Sequence, residues 1–305
     1  SENDWESSQT HKNFKFAHIF KIIRPYQWVK NVLVFTPLLM SHNFDFENLI
    51  LSTKAFVIFS LIASSIYVIN DMTDVKSDRN HPFKKYRPLA AKLITVDHCK
   101  VLILALLALS IVLLTNVNKE FIIIIISYFI LSNLYTFFLK QIIIIDLLIL
   151  SLLYTSRILG GGYITDISIS SSLFLFSVFF FTSLAAVKRL TELINILKFK
   201  KTKIYGRGYS ASHKKMIYWL AISTGWISIL ILIFHINSPE VINQYASPNI
   251  LWIICFVMLF WISRIIYVSS KGKIKDDPIV YAISDKISYL CLMIILFIFW
   301  LGVTI

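Results

Sequence analysis

Three aspartates in one short stretch are the first residues of this sequence that could do chemistry. Asp71, Asp74 and Asp78 come directly after an apolar run that ends in Ile-Tyr-Val-Ile-Asn. If this stretch is helical, offsets of three and seven residues at about 100° per residue place the three carboxylates on one face. Mg²⁺ prefers hard oxygen ligands and leaves part of its shell to water and to phosphate oxygens. The motif therefore predicts a catalytic Mg²⁺ site at Asp71, Asp74 and Asp78, with Asn70 beside it.

Basic side chains follow these aspartates within a few positions. Arginine and lysine would meet the charge that a metal leaves uncompensated on a bound phosphate ester. The phosphate-binding candidates in this stretch are Arg79, Lys84 and Arg87, and His81 could either contact phosphate or shape the loop. The alternative interpretation is a solvated loop whose mixed charges only aid solubility. We favour the metal site because carboxylates where a span leaves the hydrocarbon are costly without a role.

The composition is that of a protein embedded in a membrane. Hydrophobic residues make up 57% of the 305 residues and charged residues only 15%, which excludes an ordinary soluble domain. Nine windows are apolar and long enough to cross a bilayer. They are residues 24–41, 49–70, 94–115, 120–139, 141–163, 170–187, 216–236, 249–269 and 284–305. The sequence thus predicts an all-α integral membrane protein of about nine transmembrane helices over residues 21–305, after a polar N-terminal segment, 1–20.

Lysines and arginines alternate between the two sides of the predicted membrane. The N-terminal segment and every second loop hold 27 of the 30 basic residues. Because cytoplasmic loops are enriched in such residues, we expect a multi-pass protein of the bacterial inner (cell) membrane with its N-terminus and active site in the cytoplasm. Anionic membrane lipids then account for part of the net charge of +13, and nucleic acid is not expected as a partner.

Polar side chains inside the predicted spans would be costly against lipid. Asp146 lies near the cytoplasmic end of its span, at the depth of the aspartates, and either a salt bridge to a neighbouring helix or a role in the site would explain it. Arg157, deeper in the same span, is interpreted as a structural residue. The glycines at 160–162 lack the context of a phosphate-binding loop and predict close helix packing or a break in the span.

Several short motifs resemble the UbiA-type intramembrane prenyltransferase superfamily, and the resemblance covers the chain from about residue 20 onward. The residues that carry this resemblance are Arg24-Pro-Tyr-Gln-Trp-Val-Lys-Asn31, Asn70-Asp-x-x-Asp-x-x-x-Asp78, His81-Pro and Arg87-Pro. The acidic motif is specific to the superfamily, whereas Gln27-Trp-x-Lys-Asn31 together with Lys188-Arg-x-x-Glu-Leu193 is specific to one branch of it. Asp146, Tyr154-Thr-x-Arg157 and Lys188-Arg-x-x-Glu-Leu193 are similar to the decaprenyl-phosphate phosphoribosyltransferase branch.

The resemblance implies a helical bundle around a central cavity that opens to the cytoplasm, with Mg²⁺ at the first acidic motif. It also implies a reaction of cell envelope biosynthesis, in which phosphoribosyl pyrophosphate gives its phosphoribosyl group to a polyprenyl phosphate. Ordinary members of the superfamily carry a second acid-rich motif after the sixth span, where this chain has Lys188, Arg189 and a single Glu192. Extra cations suit two substrates that both carry phosphate, because they offset the repulsion between them.

Further site candidates follow from the resemblance. Glu192 could bind a ribose hydroxyl or the metal shell, while Arg207 and Tyr209 could close the second long loop over the donor. The substrate-binding candidates together are Lys30, Asn70, Arg79, Lys84, Arg87, Asp146, Lys188, Arg189, Glu192, Arg207 and Tyr209.

Two other functions are consistent with parts of the sequence. A Mg²⁺-dependent aromatic prenyltransferase would use a polyprenyl diphosphate at the same metal, but it predicts a second acid pair that this chain lacks. A lipid transporter or flippase predicts ionisable groups at mid-membrane and on both sides, whereas here they crowd one face.

Overall fold

The computed structural model describes residues 16–42, 44–79, 84–198, 204, 206–274 and 277–304. Within these ranges the secondary structure is helical and contains no β-strand, which confirms the prediction of an all-α protein. The chain divides into two compact units, one made of the described parts of Ser1–Thr136 and Arg157–Ser168, the other of Phe137–Ser156 and Ile169–Ile305.

The first unit begins with short helices and continues with long ones. Its helices are α1 (Phe16–Ile23), a 3₁₀ helix (Pro25–Phe35), α2 (Thr36–Ser41), α3 (Phe46–Thr73), α4 (Val75–Arg79), α5 (Val96–Leu113), α6 (Lys119–Phe137) and the C-terminal half of α7 (Ile145–Ile164). The side chain of Asp45 caps α3 by accepting from the Asn48 amide at 2.8 Å. A core of Ile22, Val68 and Cys99 joins α1, α3 and α5. This core fixes the end of α3, where the aspartate motif lies.

The second unit contains the N-terminal half of α7, the short 3₁₀ helices Leu139–Gln141, Ala211–His213 and Pro248–Leu251, and six further α-helices. The six α-helices are α8 (Ser171–Lys198), α9 (Lys214–Ile236), α10 (Pro239–Gln244), α11 (Trp252–Ser270), α12 (Pro278–Ser284) and α13 (Lys286–Thr304). Small residues let α8 and α9 approach closely, since Ser183 donates to the Ala221 carbonyl at 2.7 Å. A Cβ on Gly225 would lie 2.9 Å from the Ser183 hydroxyl and 2.7 Å from Ile262 of α11. These contacts hold α8, which carries the site candidates Lys188, Arg189 and Glu192.

Eight helices in the described part of the chain are long and apolar enough to cross a membrane. They are α3, α5, α6, α7, α8, α9 with the turn before it, α11 with the turn before it, and α13. They correspond to eight of the nine predicted spans and make this a multi-pass membrane protein. The remaining prediction, residues 24–41, is folded differently: a 3₁₀ helix is followed by the six-residue α2.

Prolines and a close helix contact explain the different structure of residues 24–41. Pro25 and Pro37 each lie at the start of a short helix and restrict the preceding residue. A Cβ on Gly161 would lie only 1.9 Å from the Val34 carbonyl oxygen, so α7 packs directly on the 3₁₀ helix. The glycines thus serve close packing, one of the two predicted roles, and α7 runs through them without a break.

Arg157 also binds the 3₁₀ helix from the same face of α7. Its Nε donates to Asn31 Oδ1 at 2.8 Å and its Nη2 to the Tyr128 hydroxyl at 2.9 Å. Asn31 in turn donates to the Ser60 hydroxyl of α3 at 2.9 Å. These buried bonds satisfy polar groups within apolar spans and agree with the structural interpretation of Arg157.

Candidate functional site

The aspartate motif lies where α3 ends. Asp71 is in the last turn of α3, Asp74 is its C-cap with φ −91° and ψ 3°, and Asp78 is in α4. The three aspartates therefore do not share one uninterrupted helix, although the Asp78 amide still donates to the Asp74 carbonyl at 2.8 Å. The side chains of Asp71 and Asp78 are buried, and that of Asp74 is half-buried.

Two arginines neutralise the buried carboxylates. Arg87 Nη1 lies 3.1 Å from Asp71 Oδ1 and 2.6 Å from Asp78 Oδ2, so one guanidinium joins both aspartates. Arg24 Nη2 lies 2.5 Å from the same Asp71 oxygen. Arg87, which the sequence predicts to bind phosphate, thus pairs directly with two aspartates of the motif.

Sequence reasoning quoted Arg24 within a motif and gave it no role. It adopts the left-handed conformation, with φ 53° and ψ 62°, which is uncommon outside glycine. Its guanidinium also lies 5.3 Å from the centre of the Tyr67 ring. The available signal was the Arg24-Pro25 pair, because a proline disfavours the α conformation of the residue before it. Such strain in a buried charge cluster is typical of a functional position.

Two acceptor oxygens of this cluster are suited to a metal. Asn70 Oδ1 and Asp71 Oδ2 are buried and accept no hydrogen bond from the described residues. Amide and carboxylate oxygens are suitable ligands for a hard divalent cation. The described residues do not, however, bring three acidic, histidine or cysteine side chains close enough to form a ready metal cluster. These oxygen ligands fit Mg²⁺. In this structure Arg24 and Arg87 supply the positive charge beside them.

The other site candidates of the first unit differ in how far their side chains are exposed. Lys30 is buried on the 3₁₀ helix, next to Asn31. Arg79 and Lys84 have exposed side chains. His81 lies outside the described residues.

A second charge cluster, in the second unit, is centred on Asp146. Arg189 of α8 binds both carboxylate oxygens, Nε to Oδ2 at 2.5 Å and Nη2 to Oδ1 at 3.2 Å. Arg207 Nη1 lies 2.9 Å from Oδ1. Asp146 and Arg189 are both fully buried. Of the two roles left open for Asp146, the salt bridge is present, and both arginines predicted to bind substrate are its partners.

Glu192 shares the same two arginines. Its Oε1 lies 2.6 Å from Arg189 Nη1, one helical turn away, and its Oε2 lies 3.4 Å from Arg207 Nε. The Glu192 side chain remains 30% exposed, whereas Arg189 is inaccessible. The side chains of Glu192 and Arg207 are therefore partly accessible, whereas that of Arg189 is not.

Tyr209 is fully buried beside this cluster. Its hydroxyl accepts a hydrogen bond from the Ile144 amide at 3.3 Å. Burial raises the pKa of the Tyr209 phenol, and the nearby Asp146 carboxylate raises it further. Next to it, a Cβ on Gly208 would lie 2.3 Å from the Gln141 carbonyl, so this loop is packed on residues 141–144. Tyr209 is thus positioned to fasten the loop, and it stays protonated at neutral pH.

Lys188 has a partner that sequence reasoning missed. Its Nζ lies 3.0 Å from Asp277 Oδ2, and the Tyr154 hydroxyl donates to the same oxygen at 3.4 Å. Asp277 is buried and caps α12 by accepting from the Ile279 amide at 3.0 Å. The sequence signal was an aspartate directly before Pro278, a common helix start.

Residues 32–196 match the UbiA prenyltransferase family, more than half of the chain. The chain belongs to the UbiA prenyltransferase family. The predicted resemblance is confirmed, and with it the assignment to a superfamily of membrane-embedded transferases.

Relatives of this UbiA-family protein cover most of its length. Nodulation protein NoeC of Azorhizobium caulinodans is 33% identical over 272 residues, 88% of each chain. Decaprenyl-phosphate phosphoribosyltransferase of Mycolicibacterium smegmatis is 28% identical over 292 residues, 93% of this chain and 90% of that one. The structure of a UbiA homolog from Archaeoglobus fulgidus bound to GPP and Mg²⁺ is similar with a TM-score of 0.68 at 13% identity, over 94% of this chain and all of that one. At 13% identity, this structural similarity shows a shared fold.

In both clusters of this UbiA-family protein the arginines are balanced by carboxylates. A phosphate can be bound there by an exchange, in which a guanidinium or ammonium leaves its carboxylate for a phosphate oxygen. The released carboxylate then needs another cation. In the first unit, a divalent cation at Asp71 would meet that need, because one Asp71 oxygen accepts no hydrogen bond from the part of the chain that the structure describes.

Proposed function

We propose that this protein transfers the 5-phosphoribosyl group of phosphoribosyl pyrophosphate to a polyprenyl phosphate, releasing pyrophosphate, at the cytoplasmic face of a bacterial inner membrane. The observation that carries the proposal is the basic cluster of α8 and the following loop, in which Lys188, Arg189 and Arg207 meet the carboxylates of Asp277, Asp146 and Glu192. The decaprenyl-phosphate phosphoribosyltransferase of M. smegmatis, related along nearly the whole chain, supports it.

The aspartate motif is proposed to hold Mg²⁺ against the diphosphate of the donor. Asp71, Asp74 and Asp78, with the Asn70 amide oxygen, would be its protein ligands. When bound, the metal would make pyrophosphate a better leaving group by neutralising its charge. Arg24 and Arg87 are free to turn from the carboxylates to phosphate oxygens once that positive charge is present.

The chemical step needs little acid or base catalysis. The bond between ribose C1 and the pyrophosphate oxygen breaks, and a bond from C1 to an oxygen of the lipid phosphate forms on the opposite face. A phosphate monoester is ionised at neutral pH, so no side chain has to remove a proton from it. The protein's contribution is then to position the groups and stabilise the separating charges.

The second charge cluster is proposed to bind phosphate or ribose groups. Glu192 and Arg207 are accessible enough to make such contacts, and Lys188 can exchange Asp277 for a phosphate oxygen. Arg189 would act by orienting Asp146 and Glu192. In the first unit, Lys30, Arg79 and Lys84 remain phosphate-binding candidates.

The proposal is tested by measuring whether labelled ribose is transferred from phosphoribosyl pyrophosphate to the lipid. Purified protein in detergent with Mg²⁺ is incubated with phosphoribosyl pyrophosphate labelled in the ribose and with a polyprenyl phosphate, and lipid-soluble label is counted. We expect label to appear only with both substrates and with Mg²⁺. Label transfer from a polyprenyl diphosphate to a phenolic acceptor, with none from phosphoribosyl pyrophosphate, would establish the aromatic prenyltransferase instead.

Asp74→Asn tests the metal assignment in the same assay. Removing one carboxylate should raise the Mg²⁺ concentration needed for half-maximal rate and lower the maximal rate by about 10²-fold or more, as expected for a metal that stabilises a leaving group. Asp97→Asn is the matched control, because Asp97 is 87% exposed and pairs with Lys100 at the surface. An unchanged rate and Mg²⁺ dependence in Asp74→Asn would remove the metal from this motif.

A further inference from the structure

Lys188 and Asp277 form an ion pair in which one partner can move and the other is held. Lys188 Nζ of α8 lies 3.0 Å from Asp277 Oδ2, and the Lys188 side chain is 26% exposed whereas that of Asp277 is 6% exposed. A lysine carries its charge as a compact ammonium on a flexible stem. The ammonium can therefore turn from the carboxylate to another anion, while the carboxylate stays in the protein.

Asp277 retains hydrogen bonds on both oxygens when Lys188 leaves it. Its Oδ1 accepts from the Ile279 amide at 3.0 Å, which makes it the N-cap of α12, and its Oδ2 accepts from the Tyr154 hydroxyl at 3.4 Å. Tyr154 is buried and stacks on Phe181 with ring centres 5.0 Å apart, so the position of this hydroxyl is fixed. These two bonds offset part of the cost of a buried carboxylate that has lost its cation.

The loop that leads to α12 is attached to α8 by contacts separate from this ion pair. The hydroxyls of Thr191 and Ser269 share a hydrogen bond of 2.8 Å. Lys198 Nζ donates to the Gly272 carbonyl at 2.8 Å. The ammonium of Lys188 can thus leave its partner while the loop remains bound to α8.

A phosphate ester is a stronger partner for an ammonium than a carboxylate is. A phosphate monoester carries about −1.5 to −2 charges at pH 7 and offers three acceptor oxygens, whereas a carboxylate carries a single charge. A phosphate can therefore displace the Asp277 carboxylate from Lys188. When the phosphate leaves, the carboxylate is still in place to receive the ammonium again.

We infer that Asp277 competes with a substrate phosphate for Lys188 and thereby sets the affinity of this phosphate subsite. That Lys188 binds a substrate phosphate rests on the proposed function. The phosphate groups of the sugar donor and of the lipid share this chemistry, and the kinetic test separates them. In either case Asp277 weakens binding of the substrate and promotes release of the product.

Asp277→Asn tests the competition. Asparagine is as good an N-cap as aspartate but has no charge, so α12 keeps its cap while Lys188 loses the competing carboxylate. KM is measured for phosphoribosyl pyrophosphate and for polyprenyl phosphate. We expect KM to fall about fivefold, as for loss of a partly exposed ion pair, for the substrate whose phosphate binds Lys188, with kcat not increased. A KM that is unchanged or higher for both substrates would overturn the inference.

Two control variants separate competition from a loss of structure. Asp285→Asn removes the pair with Arg264, at 2.7 Å in the same unit, and should lower the thermal midpoint without lowering either KM. In a Lys188→Gln background, Asp277→Asn should change neither KM further. An equal fall of KM in that background would show that Asp277 does not act through Lys188. Asp277→Ser, which also keeps an N-cap oxygen, replaces the asparagine variant if the latter does not fold.

Binding without turnover keeps the inference separate from the proposed function. Wild type and Asp277→Asn are titrated in detergent with ribose 5-phosphate and with farnesyl phosphate. Tighter binding of either compound by Asp277→Asn, in a wild type that transfers no label, would support the competition and refute the proposed reaction. Label transfer by the wild type, with equal binding of both compounds by the two proteins, would refute the competition and leave the reaction standing.

Discussion

At the scale of single residues, the two charge clusters follow the same rule. A buried carboxylate lies at the centre of each, Asp71 in the first unit and Asp146 in the second, and arginines from distant parts of the sequence bind it. An isolated ion would be costly in such surroundings, and its cost is offset only while its partners stay in place. Removing one partner from either cluster should therefore destabilise its unit.

Asp146→Asn should destabilise the protein strongly. Arg189 is completely buried and would lose the charge of its bidentate partner, at a cost of about 3 kcal/mol or more. Thermal unfolding in detergent, followed by circular dichroism, measures the loss. Glu240→Gln, an exposed acid of the same unit, should leave the midpoint unchanged. A midpoint for Asp146→Asn equal to that of the wild type would mean that Arg189 finds compensation elsewhere.

Arg87→Ala should make stability depend on Mg²⁺. The substitution leaves Asp71 and Asp78 with less positive charge, and because the Arg87 side chain is 27% exposed we expect a loss of about 1 to 3 kcal/mol. A cation bound at these carboxylates should restore part of that loss. The thermal midpoint is measured with EDTA and with excess Mg²⁺, and Lys85→Ala, an exposed neighbour, is the control. If Mg²⁺ shifts both variants equally, the aspartates do not bind it.

What the sequence could predict at this scale depended on distance along the chain. The aspartate motif and Arg87 lie within 16 residues of one another, so their association followed from local spacing. The partners Arg24 and Asp277 were missed as such, because they lie 47 and 89 residues from Asp71 and Lys188. Nothing in a single sequence pairs residues at that separation, and only the packing of helices does so.

At the scale of elements, hydropathy wrongly predicted a transmembrane helix where the structure has the 3₁₀ helix Pro25–Phe35. Its window was apolar enough for a span, but hydropathy does not register proline positions or the contact with a glycine of another helix. The other predicted spans were found because a run of about 20 apolar residues has few alternatives to a membrane helix. The 3₁₀ helix carries Lys30 and is fixed through Asn31 and Val34.

Gly161→Ala should displace this 3₁₀ helix. The added methyl would meet the Val34 carbonyl at 1.9 Å, a backbone atom that cannot rotate away, and overpacking of this kind costs about 1 to 3 kcal/mol. We expect a lower thermal midpoint and, under the proposed function, a lower rate of label transfer. Gly302→Ala is the control, since its nearest atom is a Tyr245 ring carbon at 3.1 Å. Equal midpoints for the two variants would show that α7 can move away from the 3₁₀ helix at little cost.

At the scale of the whole molecule, the distribution of basic residues predicts the orientation. The segments counted on the predicted cytoplasmic side include the aspartate motif and the Lys188–Arg207 region, where a soluble sugar phosphate could reach them. The loop 237–247 is predicted to face the opposite side. Because the native cysteines are buried, single added cysteines can report the side directly.

Glu240→Cys and Lys271→Cys should give opposite labelling. In intact cells, a membrane-impermeant maleimide is expected to modify Glu240→Cys and to reach Lys271→Cys only after permeabilisation, since the basic loop should lie inside. Both positions are exposed in the structure. The reverse pattern would invert the orientation and move the proposed reaction to the outer face.

The two ionisable residues of α7 have a consequence for the assembly of the protein in the cell. This helix is the least apolar of the eight candidate spans. Arg157, near its middle, would cost roughly 2.5 to 3.5 kcal/mol on insertion as an isolated segment, and Asp146, in its first turn, would cost less. Arg189 and Arg207, which bind Asp146, lie later in the chain and leave the ribosome only after α7. Stable integration of α7 therefore has to wait for α8, and the two helices should leave the translocon as a pair.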